Sequence, residues 1–322
     1  MASIHALSLK TAALVLALTT AVAAQDYPTK PVRIVVPFPP GALNDMVGRA
    51  IATPLSERLG KQFIVENRSG AGGTLGSELA ANAPKDGHTL LIVSLAGAVN
   101  RWLYQLSYDP IASFTPISSL VTVPAVVAVN PNLPARSIKE LVALAKEKPG
   151  QLQYASSGVG TFLHLAAELF KSSAGIDLLH VPFRGAGPAM IDVIGGHTQA
   201  VFASVASTVP HVRAGKLRAL GVGASARSPA LADIPTVAEA GVPGYEAANW
   251  IGIVAPAGTP GAIVAKLHRE IAAALDSPEL QKQFASAGAQ ILRMSSAQFG
   301  AHMAAETEKW GRVVKEGKIK AE

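Results

Sequence analysis

The sequence predicts an α/β protein whose strands form a mostly parallel, doubly wound sheet flanked by helices. Three observations predict it. Short β-rich runs alternate with stretches of helical spacing along the chain. Hydrophobic residues are 49% and charged residues 16% of the chain, enough apolar mass for large buried cores and too little charge for disorder. The length, 322 residues, points to two domains rather than one.

The elements follow in order. Residues 1–24 read as an export leader: Lys10 is the only charged side chain before an apolar run that ends in Ala21, Val22, Ala23 and Ala24. That run is shorter than the roughly 20 apolar residues a membrane span needs. No cysteine follows it, so a lipid anchor is not expected. The expectation is a soluble mature protein, exported and periplasmic. Residues 32–36 form a buried-strand run, 43–59 have helical spacing, 63–66 are a second strand, 73–81 a helix and 89–93 a third strand. This β-α-β-α-β order argues for parallel pairing. Residues 117–121 and 125–129 are strand-like and split by Pro124. Residues 137–146 form an amphipathic helix, with Ser137 and Glu140 spaced as a capping box. Strands are expected at 152–155, 180–181, 199–202, 217–222 and 248–254, and helices at 161–173 and 186–194. The tail reads as three helices, 260–275, 278–287 and 296–315, with Pro260 and Pro278 where first-turn prolines are tolerated. No linker divides the chain, so two closely packed lobes are expected, with crossings near 121–128 and 245–253.

Composition removes several functions. The absence of cysteine excludes thiol nucleophiles, iron–sulfur clusters and cysteine zinc sites. Aromatics at 5% argue against stacking platforms for bases. The net charge is +6, but no basic run marks a nucleic-acid surface, so no nucleic-acid partner is expected. The excess of base leaves a mild preference for anionic ligands.

Four glycine-rich turns lie between strands and helices, where open α/β sheets bind ligands. The first contains Pro40, Gly41, Ala42 and Asp45 and opens a helix whose N–H groups suit a carboxylate or phosphate. Asn44 or Asp45 capping a tight turn is the alternative reading. The second, 69–76, approaches a dinucleotide fingerprint, but Gly70, Gly72 and Gly76 are spaced one residue too long. Ser94 also stands where that fingerprint expects an acid. The third holds Ser156, Ser157, Gly158, Gly160 and Thr161, a hydroxyl-rich nest in which Thr161 could simply cap the next helix. The fourth holds Arg184, Gly185, Ala186, Gly187 and Pro188; Arg184 could pair with a ligand carboxylate or with a structural one. No G-x-S-x-G or H-E-x-x-H motif occurs, and the His164–Glu168 spacing lacks a third metal ligand. No cofactor, metal or catalytic residue is therefore expected, and binding is favoured over catalysis.

Several blocks occur in order: Tyr27-Pro28-x-Lys30-Pro31, Val36-Pro37-Phe38-Pro39-Pro40-Gly41, the run from Glu66 to Gly73, the run from Asp86 to Leu91, Tyr108-Asp109-Pro110, the run from Tyr154 to Gly158, the run from His180 to Gly185, and the run from Gly215 to Leu220. Together they resemble the extracytoplasmic solute receptors of the tripartite tricarboxylate transporter family, the Bordetella uptake-gene type. The resemblance covers nearly the whole mature chain. It implies a two-lobed, Venus-flytrap fold like the type II periplasmic binding proteins, with lobe 1 made of residues 25–123 and 248–322 and lobe 2 of 124–247. It also implies a small organic carboxylate held between the lobes and delivered to a membrane permease with a large and a small subunit. The receptor is expected to be a monomer. The positions that match the family's ligand loops are Pro40, Gly41, Ala42 and Asp45 on one lobe, joined by the stretch from Ser94. On the other they are Ser156, Ser157, Gly160, Thr161 and the turn Gly185, Ala186, Gly187 and Pro188. Two departures stand out: Ala42 occupies a position that is usually glycine, and Ala203 and Ser204 replace an acidic or amide pair. With Asp45 the only acid in these loops, a ligand without an amino group is expected. The alternatives are a carboxylate sensor read by a signalling partner and an exported α/β enzyme.

Overall fold

A computed structural model describes residues 27–320, so the leader-like stretch 1–24 lies outside the described residues. The first parallel unit is β1 (Val32–Val36), α1 (Leu43–Leu59), β2 (Phe63–Asn67), α2 (Thr74–Ala81) and β3 (Thr89–Ser94). β1 lies between β2 and β3, all three parallel, as the alternation predicts. The second parallel unit is β5 (Gln153–Ser156), α5 (Phe162–Ala174), β6 (Leu179–Pro182), α6 (Ala186–Gly195) and β7 (Ala200–Ser204), with β5 between β6 and β7. α3 (Leu95–Leu103) follows β3, α4 (Ile138–Glu147) precedes β5, and α7 (Val205–Arg213) follows β7.

Two long strands join the units, and both run antiparallel to a neighbour. β9 (Ala248–Pro256) pairs with β3 and with the first part of β4 (Phe114–Val129). From Ala125 onward β4 pairs instead with β7, and β8 (Arg218–Val222) lies on its other side. The sheet is therefore mixed, with parallel strands confined to each half. Sequence reading splits β4 at Pro124. The strand instead runs straight through, because Pro124 stands at the handover, where Ala248 is its last β9 partner and Ala125 begins the β7 ladder. A residue with no N–H costs least where the ladder changes partners.

The tail supplies α8 (Gly261–Leu275), α9 (Pro278–Ser286), a two-residue strand β10 (Gln290–Ile291) on β4, and α10 (Ser296–Glu316). Ser295 and Gln298 close the start of α10 as a reciprocal capping box. In α4 only half of the expected box forms: Ser137 accepts from Glu140 N–H, while the Glu140 carboxylate turns to the N–H of Arg136. α10 lies across both halves. Trp102 Nε1 donates to Thr307 O, Trp310 packs edge-on against Phe162 of α5, and Ser172 bonds Glu316. One apolar core accordingly runs from Leu91 and Val93 through Phe299 and Trp310 to Tyr154, Phe170 and Phe202. A second lies between the first unit and α1, α8 and α9, and a third under α6 and α7.

Candidate functional site

Register decides which loops meet. Ser94, the last residue of β3, pairs with Ile251, which pairs in turn with Val121 of β4. Ser204, the last residue of β7, pairs with Ala125 of β4. The C-terminal ends of β3 and β7 thus reach β4 four residues apart, about 13 Å of strand. Parallel pairing brings the ends of β1, β5 and β6 to the same crossing. The loops after β1 and β3 therefore form one bank, and the loops after β5, β6 and β7 form the other. Gly160 shows how near they come: a Cβ there would stand 3.3 Å from Leu103 at the end of α3.

In the first loop, Pro40 and Gly41 are exposed and Ala42 is half-buried. Gly41 has φ 80°, and no other atom lies within 4 Å of where its Cβ would stand, so glycine is required by the backbone and leaves an open face. Ala42 has φ −68°, an ordinary backbone that alanine adopts without strain. It is the N-cap of α1 and offers no side-chain cap. Asp45 is 3% exposed and fully occupied. Its Oδ2 accepts from Gly41 N–H at 2.9 Å and Arg49 at 3.0 Å, and its Oδ1 accepts from Asn67 at 2.8 Å. Burial opposes its charge, but the bonds from Arg49, Gly41 and Asn67 and the Arg49 charge outweigh that and hold its carboxyl below the usual range. Asp45 braces the loop. Asn44, passed over as a site residue in sequence, is 7% exposed, and its Nδ2 has no protein partner.

Ser94 is 3% exposed, at the foot of α3, and its side chain does not cap that helix. On the opposite bank, Ser156 is fully enclosed; its hydroxyl contacts His180 at 2.6 Å and accepts the Gly158 N–H at 3.2 Å. That hydroxyl therefore serves the loop. Ser157 donates to the Thr161 hydroxyl, which donates to Gly158 O and caps α5 at His164 N–H. Gly185 N–H donates to Ser157 O and ties the third loop to the fourth. Gly185 has φ 115°, and as N-cap it leaves the start of α6 uncapped, with Ala186 half-buried and Gly187 and Pro188 exposed. Arg184 is exposed and has no carboxylate partner among the described residues. Ser204 caps α7 at Ser207 N–H.

The start of each helix thus sorts the loops. α1, α3 and α6 open at the crossing without a side-chain cap, so their first-turn N–H groups keep free hydrogen-bonding capacity. α5 and α7 at the same crossing are closed by Thr161 and Ser204. The second glycine loop serves packing: a Cβ on Gly76 would press on Arg68 O and Pro37, and Asn100 bonds Gly72 O. Among the described residues no set of three His, Asp or Glu side chains converges on a metal position. An open groove of about 590 Å³ lies elsewhere, between α4, α5 and α10, and its Lys171 is already paired with Glu168 and Asp177.

A family model described as the tripartite tricarboxylate transporter family receptor matches residues 47–319. A protein from the tcbD–tcbE intergenic region of Pseudomonas sp. strain P51 is 39% identical over 297 residues, 92% of this chain and 88% of that protein. The solved structure of Rpa4515 from R. palustris with adipate is 36% identical, with TM-score 0.77, covering 92% of this chain and 100% of that one. MatC from Rhodopseudomonas palustris with bound malate is 32% identical, with TM-score 0.73, covering 89% and 100%. The fold is that of these binding proteins, and the matched family is one of solute receptors rather than enzymes. By the extent of these matches, the chain belongs to the tripartite tricarboxylate transporter receptor family.

Proposed function

We propose that this receptor captures a small organic carboxylate, one without an amino group, at the crossing of its two halves. The observation that carries the reading is the set of uncapped helix starts: α1 and α3 on one bank and α6 on the other. Each presents N–H groups and the positive end of a helix dipole to the crossing, which favours an anion. Arg184, exposed in the fourth loop and without a carboxylate partner among the described residues, adds positive charge. Asp45 is the only acid in these loops and both its oxygens are taken, so an ammonium group would lack a counter-ion. The adipate and malate held by two related structures support the carboxylate class. The turn Pro40, Gly41 and Ala42 would face the ligand from one side, where the free N–H groups at the start of α1 and those beyond Ser94 would grip it. Gly160 and the turn Gly185 to Pro188 would grip it from the other. Asp45, Ser156, Ser157, Thr161 and Ser204 would hold those loops in shape.

The lobes would divide at 123/124 and 247/248, a reading supported by the change of β4 partners at Ala125. The leader-like N-terminus supports export to the periplasm. There the monomer would hand its ligand to a permease with a large and a small subunit. A thermal-shift screen tests the binding claim, using adipate, malate, aspartate, glutamate and ATP. A dicarboxylate at about 100 times its Kd should stabilise the chain by about 2.7 kcal/mol, a shift of several degrees. Stabilisation by the amino acids alone, or by ATP alone, would overturn the reading.

A further inference from the structure

Behind the third loop lies a titratable cluster that ligand binding does not use. The rings of His164, on α5, and His180, on β6, stack with centroids 4.0 Å apart and planes 10° from parallel. Tyr154 stacks on His180 at 4.8 Å. Both imidazoles are tied to the loop. Gly160 N–H donates to His164 Nδ1 at 3.0 Å, and His180 Nε2 meets Ser156 Oγ at 2.6 Å.

The first bond fixes the ring proton of His164, and the length of the second contact favours one tautomer of His180. A backbone N–H can only donate, so His164 Nδ1 carries a lone pair and the proton of the neutral ring is on Nε2. That nitrogen lies 3.9 Å from Glu168 Oε1. The 2.6 Å contact at His180 is in the range of a hydroxyl donor and shorter than an N–H donor favours. Ser156 Oγ already accepts the Gly158 N–H. Its own proton can go to Gly158 O, 3.3 Å away, or to His180 Nε2; the shorter contact favours His180 Nε2 as acceptor, which would leave the His180 proton on Nδ1.

We propose that His164 and His180 are positioning residues that shape the third loop as a stacked pair of neutral imidazoles in opposite tautomers. Protonating His164 would take away the acceptor for Gly160 N–H, and protonating His180 would take away the acceptor for Ser156. The link from loop shape to ligand rests on the function proposed above. The charged surroundings suit a pair that stays neutral. Facing the rings are Glu168 and Lys171 of α5, Tyr154 of β5 and each other; Lys171 also meets Asp177 at 3.6 Å. Burial first, then the His180 ring and the Lys171 charge, push His164 down to about 3. Burial and Lys171 also lower His180, against the pull of Glu168. Tyr154 O–H and Lys171 share Glu168 Oε1, at 2.7 and 3.0 Å, which spends that carboxylate elsewhere.

Long-range ¹H–¹⁵N imidazole spectra of the full chain at pH 7.5 test the proposal. They should show the His164 proton on Nε2 and the His180 proton on Nδ1, assigned by the signals lost in His164→Asn and His180→Gln. His164→Asn places an amide oxygen near the Nδ1 position and should leave Gly160 amide exchange unchanged. His164→Leu has no acceptor, and the Gly160 amide should exchange about tenfold faster, the factor for a hydrogen bond worth about 1.4 kcal/mol. A cationic ring at pH 7.5, one shared tautomer, or equal Gly160 exchange in the Asn and Leu variants would overturn the proposal. Should the Leu variant not fold, the spectra of the unaltered chain decide. None of these readouts needs a ligand, so failure of the carboxylate reading is seen separately in the thermal screen.

Discussion

Asp45 takes three hydrogen bonds inside the first loop, from Gly41 N–H, Arg49 and Asn67, and the guanidinium of Arg49 also pairs with its charge. Removing it with Asp45→Ala would free the Gly41 N–H in an exposed loop and take one of two acceptors from the half-buried Asn67 amide, which keeps its bond to Phe38 O. Arg49 is half exposed and can return to water. The expected loss is about 1–2 kcal/mol, read by urea unfolding. Acid should unfold the protein in two windows. The pKa of His164 is lowered in the folded state, so the unfolded chain takes up that proton first and stability falls as pH drops from about 6.5 toward 3. The carboxyl of Asp45 is also held low, so its contribution is present above about pH 4 and is lost as pH falls further. His164→Asn should make the first window shallower in a series of Tm values against pH, with the lowered His180 and His302 keeping part of it, and leave the second. The acid in the first loop was visible in sequence, but its role was not. Arg49 lies one helical turn on, but Asn67 arrives only because β1 and β2 pair with Val36 opposite Asn67. The neutral His164–His180 pair depends in the same way on β5 and β6 lying side by side.

At the scale of elements, the strands and helices with clean periodicity were legible, because burial on one face imposes the pattern. α3 and α7 were not. The sequence of α3, Leu-Ala-Gly-Ala-Val-Asn-Arg-Trp-Leu, carries one charge and follows a strand directly, so it reads as a lining loop. α7 contains Pro210, which counts against a helix interior. The single strand β4 was missed because Pro124 falls where its partners change, which only the paired sheet shows. Close packing makes its own demand on β9. A Cβ on Gly252 would overlap the ring of Phe299, which is fully buried in α10. Gly252→Ala should cost about 1–3 kcal/mol through overpacking and lower Tm by several degrees in calorimetry, without a change of ligand class.

At the scale of the whole molecule, the two halves share more than the crossing strands. α10 belongs in sequence to the segment that returns to the first half, yet Trp310 and Glu316 engage Phe162 and Ser172 of α5. Under the proposed function, movement of one bank toward the other would pivot at the β4 and β9 crossings. Contacts from one ligand to both banks would favour the closed arrangement by the difference in its affinity for the two states. The chain has no cysteine, so two can be added without interference. Met46 in α1 and Ile191 in α6 are 41% and 71% exposed, one on each side of the crossing. Spin labels on Met46→Cys and Ile191→Cys report the separation of the banks, with adipate or malate binding verified by calorimetry on the same sample. The account predicts that the distance distribution shifts to shorter values as the dicarboxylate saturates the receptor. An unchanged distribution with the dicarboxylate bound would contradict capture between the two halves.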